Sequence, residues 1–130
     1  FTVDESKWLI EAAEEQALRT LWNTKRHKNF PTCDQPLDAV PAIKDLVLRR
    51  IADKIQPRVS AYFGLPADLL RTRDIFVVKY DAESPVGQRH LDTHRDGCLL
   101  TFNVLLSSPE AFRGGGTMVE ATDQVVHLAQ

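Results

Sequence analysis

Between residues 90 and 96 the chain reads His-Leu-Asp-Thr-His-Arg-Asp, two overlapping His-x-Asp pairs. Residues two apart in an extended segment point to the same face, so each pair can present an imidazole nitrogen and a carboxylate oxygen to one ion. Two histidines and one carboxylate on one face of an octahedron are the donor set of non-haem Fe(II) chemistry, with the remaining positions open for co-substrate and dioxygen. Taken alone, His-x-Asp also describes a hydrated strand end. The sequence around it has to decide.

Other motifs fail on their own parts. Gly114-Gly115-Gly116 lacks the Lys-Ser/Thr of a phosphate loop and the helix of a dinucleotide site, so a tight turn with positive φ is its expected use. His94-Arg95-Asp96 spells a kinase catalytic tripeptide, but Thr101 stands where that motif needs Asn, and no Asp-Phe-Gly is present. Cys98, beside the pairs, reads as a small buried residue.

The elements that must position the pairs change character along the chain. Trp8, Leu9, Ala12, Ala13, Ala17 and Leu21 have the spacing of one helix face, and Thr2 with Glu5 forms a capping box at its start. Residues 22–40 lose this periodicity and read as a long loop. A second helix starts at Pro41 and runs through Ile43, Leu46, Val47, Ile51 and Ile55. Pro57 must kink or interrupt it, and Gly64 stops it. Four short apolar or β-branched runs follow, at 75–80, 99–106, 117–120 and 124–128, separated by Gly, Pro, Ser and Asp. Helices followed by strands predict an α+β fold in one domain over 1–130, with a helical part to about residue 70 and a β core from about residue 74. Four or five strands do not close a β architecture, so C-terminal strands are expected to be missing.

Composition narrows the function classes. The chain has 130 residues, 43% hydrophobic and 26% charged, with a net charge of −2 and no run of Lys or Arg, which argues against nucleic acid as a partner. No apolar stretch is long enough for a membrane span. Two cysteines, far apart, support neither a disulfide framework nor a zinc ribbon and leave the compartment open.

Four blocks in order, Phe76-Val77-Val78-Lys79-Tyr80, Leu91-Asp92-Thr93-His94-Arg95-Asp96, Leu100 to Leu106 and Phe112-Arg113-Gly114-Gly115-Gly116-Thr117, closely resemble the prolyl 4-hydroxylase and lysyl hydroxylase branch of the Fe(II)/2-oxoglutarate-dependent dioxygenases. Trp22, Arg26-His27, Pro31-Thr32 and Asp34 look like the helical N-terminal region of small domains of that branch. The resemblance implies a jelly-roll (double-stranded β-helix) core under the N-terminal helices, with His94 and Asp96 as iron ligands. By the same resemblance Tyr80 and Thr101 face 2-oxoglutarate, ascorbate serves as reductant, and a protein or peptide substrate is hydroxylated by dioxygen, with peptidyl proline as the expected target. The loop over 22–40 is the candidate for contacting it. Lysyl or small-molecule substrates, or an inert binding module on the same fold, are the alternatives. His90 and Asp92 fall outside the family spacing and are expected to be hydrated.

The family's distal histidine and the basic residue that grips 2-oxoglutarate have no counterpart before Gln130. His127 comes too early for that position.

Overall fold

The computed structural model describes residues 1–128 and has an α+β architecture. Helix α1, Val3–Thr20, begins with the expected capping box: the Thr2 hydroxyl accepts from the Glu5 N–H at 3.1 Å, and the Thr2 N–H donates to the Glu5 carboxylate at 2.9 Å. Two backbone donors that a helix start leaves without partners are thereby satisfied. The buried stripe is Ser6, Leu9, Ala13 and Ala17. Trp8 and Leu21, expected on the same face, are exposed. Trp8 sits a helical step away from Leu9, and Leu21 lies past the last turn with φ +65°.

Helix α2, Pro41–Arg50, starts at Pro41, runs into a π-helical turn, Ile51–Ile55, and continues as α3, Gln56–Phe63. Pro57 supplies no N–H, so the ladder must lose a bond near it. The interruption takes the form of the π turn, in which the Gln56 N–H reaches back to the Ile51 carbonyl. Gly64, in the left-handed region at φ +64°, ends the rod as expected.

The buried core is Leu9, Leu37, Val40, Ile43, Val47 and Ile51, with Ala12, Ile55, Ile75, Val77 and Leu106 packed against it. It lies between α1, α2 and the segment before α2. That segment contains a strand where the sequence predicts only loop: β1, Asp34–Pro36, pairs antiparallel with β2, Phe76–Val78, in the register Asp34↔Val78, Gln35↔Val77 and Pro36↔Phe76. Asn23 bridges to Asp34 on the other edge of β1. A short 3-10 turn, Leu37–Ala39, then drops Leu37 into the core.

A second pair, β3 (Thr117–Val119) and β4 (Gln124–Val126), forms an antiparallel hairpin. Gly114, Gly115 and Gly116 precede it, all with positive φ, in agreement with the expected turn. At Gly116 a Cβ would meet the Val125 side chain and, at 3.0 Å, the His127 ring. The run at 99–106 forms no strand among the described residues, which corrects the expectation. Leu99, Phe102 and Val104 are exposed, with no facing sheet to bury them, and Leu106 alone of the run packs on the core.

Candidate metal centre

From β2 the chain runs through Lys79 and Tyr80 into a turn closed by Asp81 N–H donating to the Gln88 carbonyl at 2.8 Å. Within it, the Asp81 carboxylate accepts from the Glu83 and Ser84 N–H groups at 3.1 and 3.0 Å. Gln88 then pins the segment to the loop before β1. Its Oε1 accepts from the Cys33 N–H at 2.6 Å, and its Nε2 donates to the carbonyls of Pro31 and His90 at 3.0 and 3.1 Å. Farther on, the Arg73 guanidinium donates to the Gly97 carbonyl. Between these tethers the His94 ring packs on Phe30, with centroids 5.0 Å apart.

His94 and Asp96 lie side by side in this segment. His94 Nε2 lies 3.2 Å from Asp96 Oδ1. His94 Nδ1 is 2.8 Å from the Asp92 carbonyl oxygen, which can only accept, so Nδ1 carries a proton and donates it. Nε2 is the nitrogen that faces the carboxylate oxygen, as an ion pair in the protonated ring and as a lone pair in the neutral one. The other Asp96 oxygen, Oδ2, accepts from the Thr101 hydroxyl at 2.5 Å. Thr101 Oγ1 also lies 3.2 Å from Cys98 Sγ, and that sulfur is 3.3 Å from the Leu100 carbonyl oxygen. Cys98, expected to be buried, is exposed.

The spacing suits two ligands of one metal ion as well as it suits a His–Asp ion pair. Donors about 2.1 Å from an octahedral centre and at right angles to one another are separated by about 3 Å, close to the His94–Asp96 spacing. His90 and Asp92 stand 3.4 Å apart, with side chains 80% and 81% exposed, against 28% and 44% for His94 and Asp96. No third His, Cys, Asp or Glu joins either pair among the described residues. His127 lies against the hairpin at Gly116.

Tyr80 is half-exposed, and partial burial raises its phenol above the ordinary value, so it stays a protonated donor at neutral pH. Among the described residues no hydrogen bond or ring contact joins it to His94, Asp96 or Thr101. A groove of about 510 Å³ is lined by Trp22, Pro31, Cys33, Lys79, Val86 and His90 among others, with neither His94 nor Asp96 in its wall. Burial pushes the Cys33 thiol up, which keeps it a neutral wall. Lys79 donates to Glu14 at 2.7 Å and stands 5.7 Å from the Trp22 ring centre.

A cluster of charged and polar side chains surrounds the buried Asp34. Asp34, fully buried, faces Arg26 at 3.3 Å and His27 at 3.5 Å and accepts from the Thr32 hydroxyl. Arg26 also reaches Asp74 at 2.6 Å, and both Arg26 and His27 stack against Phe76 of β2. The cluster fixes residues 26–34, and with them Phe30, against the sheet. Phe30, Arg73 and Gln88 are the positioning residues that sequence reasoning missed. A lone aromatic and two polar loop residues carry no local pattern that could have marked them.

Among the described residues no helix is long and apolar enough to cross a membrane. Comparison of the chain with models of protein families, with curated proteins and with solved structures finds no match.

Proposed function

We propose that the chain carries two iron ligands, His94 and Asp96, of an Fe(II)- and 2-oxoglutarate-dependent oxygenase of the prolyl 4-hydroxylase-like branch, its β segments belonging to a jelly-roll core. The supporting observation is the orientation of His94: the Asp92 carbonyl holds the Nδ1 proton, which turns Nε2 toward Asp96 Oδ1 at the separation of two ligands of one ion. Fe(II) held by His94 and Asp96, together with 2-oxoglutarate, would supply the reduction of dioxygen, one oxygen atom going to succinate with release of carbon dioxide and the other to the hydroxyl of the product.

The chain's own residues do the positioning. Phe30 packs against the His94 ring, Asp96 contributes negative charge, Tyr80 is the candidate hydroxyl donor toward 2-oxoglutarate, and Thr101, its proton given to Asp96 Oδ2, is a candidate for the pocket wall. The groove between Trp22 and Val86 takes the peptide, with proline as the proposed target. The reading requires a second histidine and a basic residue from polypeptide outside the described residues.

In a polypeptide that also supplies those two groups, incubation with Fe(II), 2-oxoglutarate, ascorbate and a proline-containing peptide should release succinate and add one oxygen atom to the peptide by mass. His94→Ala should abolish both, and His90→Ala should leave both within about threefold. Equal turnover in His94→Ala overturns the assignment. A second reading, an interaction module without iron chemistry, draws on the lack of a third donor among the described residues. Peptide binding indifferent to Fe(II) and to His94→Ala would favour it.

A further inference from the structure

We infer that Thr101 is a positioning residue that restricts Asp96 to binding a metal through one oxygen. The inference rests on the proposed oxygenase reading. Thr101 is expected from the sequence to line the 2-oxoglutarate pocket, but the structure gives its hydroxyl a nearer partner, Asp96 Oδ2 at 2.5 Å. Asp96 Oδ1 is the oxygen that faces His94 Nε2 at 3.2 Å. The two carboxylate oxygens are thus divided between a hydroxyl donor and the metal-facing side.

This division matters because carboxylates also bind cations through both oxygens at once. In an octahedral centre three protein donors, two atoms of a chelating keto acid and one dioxygen fill all six positions. A carboxylate binding through both oxygens would take a position the co-substrate needs. A hydrogen bond on Oδ2 opposes that mode and fixes the rotation of the carboxylate. The Thr101 proton is committed to Asp96, so the Cys98 thiol turns its own proton toward Thr101 Oγ1 or the Leu100 carbonyl.

The test is titration of Co(II) into the protein under anaerobic conditions, followed by visible absorption, with wild type, Thr101→Val, Thr101→Ser and His94→Ala compared. Thr101→Val should weaken Co(II) binding by roughly tenfold or more and change the shape of the absorption band, the size of effect usual for residues that orient metal ligands. Thr101→Ser, which keeps the hydroxyl, should bind within about twofold of wild type and restore the band. Thermal unfolding of both variants should match wild type, because Thr101 is exposed. Should Thr101→Val fail to fold, Thr101→Ala replaces it with the same expectation. Wild-type affinity and band shape in the variant lacking the hydroxyl, with binding lost in His94→Ala, overturn the role of Thr101 and leave the metal site standing. Binding unaffected by His94→Ala overturns both.

Discussion

The Cys33 N–H donates to Gln88 Oε1 at 2.6 Å, joining the loop before β1 to the turn that leads into the His-Asp segment. The same Gln88 amide holds the Pro31 and His90 carbonyls through its nitrogen. One side chain thus satisfies three backbone groups from two segments more than fifty residues apart in sequence. It sets where the His90–Asp96 stretch departs from the helical half of the molecule.

Gln88→Ala removes that link. Left without its acceptor, the partly buried Cys33 amide should exchange with deuterium faster, and global stability should fall by about 1–3 kcal/mol, the cost of leaving such a group unpaired. On the proposed oxygenase reading, metal affinity at His94 should fall as well. Unchanged exchange at Cys33 would show that the link does not hold in solution.

The buried charges are more exacting. Asp34→Ala strips the fully buried partner from Arg26, His27 and Thr32, and removing one member of a buried ion pair costs about 3–5 kcal/mol. Asp38→Ala, at an exposed pair with Lys44, should leave the denaturation midpoint where it is. Urea unfolding of the two variants should differ clearly. Equal midpoints would contradict the role given to Asp34.

Acid sensitivity follows from the capping box. The Arg50 side chain, followed by the Thr2 backbone N–H, holds the Glu5 carboxyl below its ordinary value. A carboxyl whose pKa is lower folded than unfolded contributes stability that is complete above the unfolded value and is lost as pH falls through the folded one. The stability gap between wild type and Glu5→Gln should therefore be full at neutral pH and close below about pH 4, near the reference glutamate value. Denaturant midpoints of both proteins across that range check it, and a gap that widens in acid would contradict it.

Local chemistry made much of the scaffold legible. The Thr2–Glu5 box, Pro41 at a helix start, Gly64 at a helix end and the positive φ of the triple glycine are each dictated by a few neighbouring residues. Strand β1 was not legible, because Asp34-Gln35-Pro36 has poor strand propensity and is extended only by its pairing with β2 and Asn23. The run at 99–106 misled in the opposite sense. Its composition suits a strand, but extended chain becomes sheet only with a partner.

The site divides the same way. The spacing marks two overlapping His-x-Asp pairs, and only the resemblance of the surrounding blocks singles out His94 and Asp96; their environment is not legible in the sequence. That the Asp92 carbonyl holds the His94 Nδ1 proton, that Thr101 takes one oxygen of Asp96, and that Phe30 packs against the ring all depend on how separate segments meet.

The central claim, that His94 and Asp96 hold iron together with 2-oxoglutarate, is tested most directly by anaerobic titration of Fe(II) and 2-oxoglutarate into a polypeptide that joins this chain to the second histidine and the basic residue the reading requires. The measurement is visible absorption, read for the charge-transfer band of a keto acid chelated to Fe(II). The proposed site predicts a saturable band that needs both components and disappears in His94→Ala. No band in the wild-type protein, or a band undiminished in His94→Ala, would contradict it.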